Sequence, residues 1–390
     1  MAQARVCLVA VQILSLGLAI ALQPHGADAE DRRASEIQES FPIDPWSDLF
    51  FVPVRIAGKT YEFGLDTGTG VTVLDRSLRP RLGEAQGVCD LSADEDSVTS
   101  GLYRTPGMKI GRGSLAVAPD ELVACVDLAW LRQVTGHRMF GVIGVPALRR
   151  SVIRIDFDRR RLNVLDPKVG GRNWGESFRF DYNSSGQIVV AGAVAGNIRE
   201  SFILDTGCTS TGSLRRSTFD RLADSRRLAI VGLDEVADVA RSSSQPVGRV
   251  AEFCFGTFRH EKLLFDRSES SKVGLSYLRR FKVTLDFPAK RLYLLRGAHY
   301  DEPDLHNSTG LHLIQRDGTT EVAMVDSNSP AEVAGFRPGD EVVTIQGRKA
   351  AALTLSEIRH VLGARDGDNV PIAIRRGGRI IEVTLHVRLE

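Results

Sequence analysis

Asp-Thr-Gly occurs twice in this chain, as Asp66–Gly68 within "FGLDTGTGVTVLD" and as Asp205–Gly207 within "FILDTGCTSTGSL". Each copy follows an apolar, strand-like run with Leu directly before the Asp. A lone copy would mean little, because Asp and Gly are common turn formers. Two copies in matched surroundings point to paired carboxylates. Two carboxyl groups in contact cannot both ionise cheaply, so they share one proton. One group can then act as base and the other as acid, which activates water and protonates a leaving amine without metal or covalent intermediate. Gly lets the backbone pass close to a partner loop. The Thr hydroxyl can bridge between loops.

The elements that must position these residues also come in pairs. "LFFVPVRI" (Leu49–Ile56), the turn "AGKT" and "YEFGL" read as a hairpin leading into Asp66. "QIVVAGAV" (Gln187–Val194), "AGN" and "RESFIL" repeat that plan before Asp205. Downstream, "GVIGVPALRRSVIRIDFDRRRLNVL" resembles "KVGLSYLRRFKVTLDFPAKRLYLL". Gly144 aligns with Gly274, Leu148 with Leu278, Asp156 with Asp286 and Arg161 with Arg291. Each copy predicts a short helical turn, then a hairpin with Asp at its bend. The chain therefore holds two repeats, 46–166 and 178–296, joined by the linker-like "DPKVGGRNWGE". Residues 30–45 read as a polar tail. "RGAHYDEPDLHNST" (Arg296–Thr309) reads as a second linker.

On these motifs the repeats resemble the lobes of aspartic proteases, of the retropepsin-like or pepsin-like type duplicated in one chain. "LDTGT" (Leu65–Thr69) with "VIG" (Val142–Gly144) fits that pattern well. "LDTGC" (Leu204–Cys208) with "KVG" (Lys272–Gly274) departs from it at Cys208 and Lys272. The resemblance implies a mainly β fold, with two retropepsin-like β-barrel lobes forming one bilobal unit. It implies an aspartic-type endopeptidase acting on peptide or protein substrates, with Asp66 and Asp205 catalytic and no dimer needed to complete the site. Thr67, Gly68, Thr206 and Gly207 would support the pair, and Thr69 would steady its own Asp. A flap hairpin is expected between Ala93 and Ile110, with Tyr103 its candidate residue. The alternative is a catalytically weak or inactive peptide-binding scaffold built on the same lobes.

Residues 305–390 resemble a bacterial-type PDZ domain, an α+β module, most specifically in "SPAEVAGFRPGDEVVTIQG" (Ser329–Gly347). "GLHL" (Gly310, Leu311, His312, Leu313) matches that family's carboxylate-binding loop. The implied partner is a peptide terminus, which would add a strand to the sheet. Thr354 or Ser356 is placed to cap the helix "LSEIRHVLG".

Composition sets the outer bounds. The chain has 390 residues, 43% hydrophobic and 25% charged, with a formal net charge of +1. That balance gives no general pull toward nucleic acid or anionic lipid. Arg5, the apolar run Val6–Leu22 and "ADA" at Ala27–Ala29 predict an export signal over residues 1–29, or else an uncleaved anchor. Export makes disulfides possible for Cys89, Cys125, Cys208 and Cys254, with Cys89–Cys125 the first pair to consider and four free thiols the other reading. The eight His residues have no zinc-type spacing, and no metal or cofactor is expected.

Overall fold

Two hairpins turn on the same dipeptide. Ala57 and Gly58 both have positive φ (47° and 78°), as do Ala195 and Gly196 (50° and 77°). In the first hairpin, where Ile56 pairs with Lys59, this is the two-residue type I′ geometry whose twist matches the flanking strands; in the second, Val194 pairs with Ile198, so the loop is one residue longer. The strands are Phe51–Ile56 with Lys59–Leu65, and Ile188–Val194 with Ile198–Leu204. Each second strand ends at Leu-Asp-Thr-Gly.

The computed structural model describes residues 36–45, 49–93, 96–168, 173–196, 198–237, 242–304, 306, 309–363 and 367–387. The expected export signal lies outside these residues, as do positions 94–95 of the expected flap segment. The chain is mainly β and carries a C-terminal α+β module.

In each lobe a later strand threads between the two arms of the Asp loop. Met139–Ile143 lies between Lys59–Leu65, to which it is parallel, and Thr72–Asp75. Lys272–Val273 lies in the same way between Ile198–Leu204 and Gly212–Arg215. The glycines that follow make this threading possible. A Cβ on Gly144 would come 2.5 Å from the Val71 carbonyl oxygen, and one on Gly274 would overlap the carbonyl of Ser210.

The lobes share a six-stranded sheet. The hairpin Val152–Asp156/Arg161–Leu165 meets the hairpin Phe281–Asp286/Arg291–Arg296 through antiparallel pairing of Val152–Asp156 with Phe281–Asp286. Asp156 and Asp286 close the two bends, accepting from the Arg159 and Ala289 amides at 3.1 and 3.0 Å. In this register Arg154 sits opposite Thr284. The two repeats match here at an offset of 130, as in Asp156 and Asp286, so Arg154 faces its own equivalent. A pseudo-two-fold axis therefore passes between them. Lys282 closes the arrangement with an ion pair to Asp156 at 2.9 Å.

Three segments depart from the sequence reading. Ile37–Pro42, expected as tail, is a strand on Arg161–Leu165. It buries Phe41 and Glu39, and the Glu39 carboxylate accepts from the Arg112 amide (2.7 Å) and the Ser114 hydroxyl. The first linker buries Trp174. The second is held to lobe 2 by buried Arg280, which donates to the carbonyls of Tyr300 (3.1 Å) and Glu302 and pairs with Asp304 at 2.6 Å. A buried guanidinium needs acceptors, and these segments supply them. Among the described residues Cys89, Cys125, Cys208 and Cys254 form no disulfide.

One apolar core runs through both lobes from Phe41 to Tyr300, while Leu313 to Val387 form a separate core. Thr354 caps the last helix in a full capping box with Glu357. Leu285 is buried in the shared core opposite Ile153 of the other lobe. Leu285→Ala is expected to cost about 2–5 kcal/mol. In urea denaturation both lobes should melt in one transition at a lowered midpoint; separate transitions for the lobes would contradict the joint core.

Candidate active site

The two Asp-Thr-Gly loops are tied together by four reciprocal hydrogen bonds. The Thr67 amide donates to the Thr206 hydroxyl at 3.0 Å, and the Thr206 amide donates to the Thr67 hydroxyl at 3.2 Å. The Thr67 hydroxyl donates to the Leu204 carbonyl at 2.6 Å, and the Thr206 hydroxyl to the Leu65 carbonyl at 3.2 Å. Both threonines are buried. Each hydroxyl thus accepts from one loop and donates into it.

This lattice sets Asp66 and Asp205 side by side. A Cβ on Gly68 would overlap the Asp205 carboxyl, and one on Gly207 would fall 2.6 Å from Asp66 Cγ. Each glycine therefore makes room for the other loop's carboxylate. Asp66 Oδ1 accepts from the amides of Gly68 (2.6 Å) and Gly207 (3.1 Å). Asp205 Oδ1 accepts from Gly207 (2.9 Å) and Cys208 (3.0 Å). Desolvation raises the Asp66 pKa, as do the Asp205 charge and a hydrogen bond to the Asp205 side chain, carrying it from 3.8 to about 8. Asp66 thus keeps its proton at neutral pH beside Asp205, the electrostatics of two carboxyls that cannot both ionise.

The residues flanking the pair divide differently from expectation. The Thr69 hydroxyl is not among the hydrogen-bond donors to Asp66, which are the Gly68 and Gly207 amides. It donates to the Val71 carbonyl at 3.1 Å, and the Thr69 carbonyl accepts from the Val145 amide at 3.0 Å. The equivalent residue, Cys208, uses its carbonyl in the same way on Leu275, and its thiol lies 3.3 Å from the Ser210 hydroxyl. Burial pushes that thiol up to about 12, so it stays protonated. The contact to Asp205 comes from the Cys208 backbone, which no side-chain change removes.

Tyr103 does not lie at a hairpin tip. The hairpin Gly87–Ala93/Asp96–Arg104 turns at 93–96, and Tyr103 stands at its base, paired with Val123. There its ring is buried in the core beneath the Arg79 guanidinium, 4.4 Å away. Lobe 2 carries a matching long hairpin, Leu228–Ala237/Ser242–Val250. Sequence reasoning missed the turn at Asn183–Gln187. Gln187 Nε2 donates to the Gly68 carbonyl at 2.5 Å, and Ser185 lies so close to Gly70 that no Cβ would fit there. A Gly two residues beyond Asp-Thr-Gly was the only available signal.

Lys272 stands where the first lobe has Val142, and its Nζ lies 3.3 Å from Asp205 Oδ2. The strand pairing of Ile203 with Lys272 puts the ammonium within reach of that carboxylate.

In the C-terminal module, Gly310 takes a positive φ of 67° and packs against Ser329. Leu311–Arg316 is the edge strand of its sheet. Leu313 is buried in the module's core, and His312 Nε2 lies 2.9 Å from Asp326 Oδ2. The groove between this strand and the helix Leu355–Leu362 meets lobe 1. The helix Ala129–Thr135 packs on the edge strand. A Cβ on Gly136 would fall 2.8 Å from Leu355 Cβ and 3.2 Å from Gln315 Oε1. The same groove that would take an added strand is thus partly covered by the chain itself.

Residues 308–387 match the PDZ domain family. A protein of Brucella suis biovar 1, provisionally named a zinc metalloprotease, is 32% identical over 62 residues. One of Agrobacterium fabrum with the same provisional name is 34% identical over 64 residues. Each alignment covers 16% of this chain, which spans only 16% of either relative's length. Among solved structures, an aspartic proteinase from Irpex lacteus aligns over 68% of this chain and 98% of its own, at 13% identity and a TM-score of 0.42. A PDZ domain protein from Parabacteroides distasonis aligns over 23% of this chain and 21% of its own, at 16% identity and a TM-score of 0.21.

Thr206→Val removes the acceptor of the Thr67 amide and the donor to the Leu65 carbonyl. Leaving those buried groups unpaired is expected to cost about 1–3 kcal/mol each. Unchanged stability in chemical denaturation would contradict the reciprocal bonding. In hydrogen exchange on the intact chain, a C-terminal peptide entering the PDZ groove is expected to deprotect Ala129–Gly136. Unaltered protection with bound peptide would contradict the covering role of that segment.

Proposed function

We propose that this chain is an aspartic endopeptidase whose single active site is built from both lobes, with a PDZ domain that receives peptide ends. The observation that carries this reading is the contact of Asp66 with Asp205 across reciprocally bonded threonine loops. Water held between the carboxyls would lose a proton to the ionised group as its oxygen attacks the peptide carbonyl. The protonated carboxyl would give its proton to the carbonyl oxygen. Collapse of the resulting gem-diol would break the C–N bond as the first carboxyl returns its proton to the amine and a gem-diol hydroxyl gives its proton back to the second carboxyl, which restores the starting pair. Thr67, Gly68, Thr206 and Gly207 hold the geometry. In this reading residues 1–29 direct export.

The provisional zinc name of the relatives finds no fitting donors here. The chain has no His-Glu-x-x-His; His260-Glu261 is followed by Leu264 at the required position. Among the described residues no group of three or more His, Cys, Asp or Glu is placed to hold a metal. A second reading, a peptide-binding scaffold with a muted dyad, is favoured only by the Lys272 ion pair on Asp205.

Asp66→Asn and Asp205→Asn are each expected to lower peptide cleavage by at least about 10²–10⁴-fold, the range of a lost general acid or base. Circular dichroism should show the fold intact. Cleavage at the wild-type rate by either variant would overturn the assignment.

A further inference from the structure

The dyad is symmetric in its loops but not in its charges. Asp205 receives two amide hydrogens on Oδ1 and the Lys272 ammonium on Oδ2. Asp66 receives amide hydrogens from Gly68 and Gly207, and the residue of lobe 1 equivalent to Lys272 is Val142. The strands impose this difference. Lys272–Val273 threads between the arms of the Asp205 loop just as Met139–Ile143 threads the Asp66 loop. Only in lobe 2 does the threading strand bring a cation.

We propose that Lys272 is a positioning residue that gives the two carboxyls fixed and unequal roles: it holds Asp205 ionised, as the group that takes the water proton, and leaves the shared proton on Asp66, which gives it to the substrate carbonyl. This rests on the peptidase reading above and specifies it. Among the described residues, the other ionisable groups that face the pair are Cys208, whose thiol stays protonated, and Asp266, which reaches the site through its 2.8 Å contact with the Ser210 hydroxyl. Neither supplies a positive charge, so the polarity comes from Lys272. Burial and the Asp205 charge hold the proton on Asp66, against a smaller opposing pull from Lys272.

An ammonium beside the pair favours every ionised form of it. Removing the charge should therefore move both proton-binding steps to higher pH, by about 1–3 units for an opposite charge at this range. The test follows the Asp carboxyl carbons of the full-length chain by carbon NMR during a pH titration, in wild type, Lys272→Met and Lys272→Arg. Expected in wild type is an Asp205 signal that stays ionised while Asp66 takes up its proton. Lys272→Met should displace both steps upward, and Lys272→Arg should restore them. Identical titrations in wild type and Lys272→Met would overturn the proposal, as would a proton on Asp205 at neutral pH in wild type. The peptidase pH–rate profile should show its acid limb displaced upward in Lys272→Met and restored in Lys272→Arg. Wild type without cleavage would overturn the peptidase reading, while the titration would still decide the role of Lys272.

Discussion

Two carboxyl groups held in contact repel one another unless they share a proton, and the rest of this structure exists around that constraint. The contact is held by elements that do not themselves ionise. Four hydrogen bonds through Thr67 and Thr206 fix the loops, and Gly68 and Gly207 let each loop approach the other's carboxyl. Behind them, the shared sheet joins the lobes on an axis between Arg154 and Thr284. Each Asp loop takes hydrogen bonds from the other lobe, and one hydrophobic core spans both.

Much of this was legible in the sequence because it was written twice. The Asp-Thr-Gly loops, the Ala-Gly turns, Gly144 with Gly274 and the Asp-closed hairpins all follow from local chemistry that a single chain displays. What stayed hidden depends on long-range partners. Ile37–Pro42 looks like a polar tail until Arg161–Leu165 offers it an edge. The linker around Asp304 looks free until buried Arg280 requires acceptors. Tyr103 falls within the segment expected to hold a flap, yet its pairing with Val123 sets it at the hairpin's base. Gln187 gives no sign that it reaches Gly68 in the other lobe. Lys272 reads in sequence as an apolar position gone wrong; the fold makes it the counter-charge of Asp205.

The PDZ domain introduces a second constraint. Its groove is bounded by Leu311–Arg316 and Leu355–Leu362, and lobe 1 reaches into it through Gly136. On its other side, His306, just ahead of the module, is packed against the long hairpin of lobe 2 near Gly232 and Asp234. A strand added beside Leu311–Arg316 and the Gly136 contact would compete for the same space.

The central claim is that one chain, with one Asp from each lobe, makes one hydrolytic site. It is tested most directly by mixing Asp66→Asn chains with Asp205→Asn chains in equal amounts and measuring peptide cleavage beside wild type over a wide dilution range. The expected result is wild-type cleavage with a rate per molecule that does not change on dilution, and no activity in the mixture. Activity recovered by mixing, or wild-type activity lost on dilution, would mean that the site is assembled between chains and would contradict the claim.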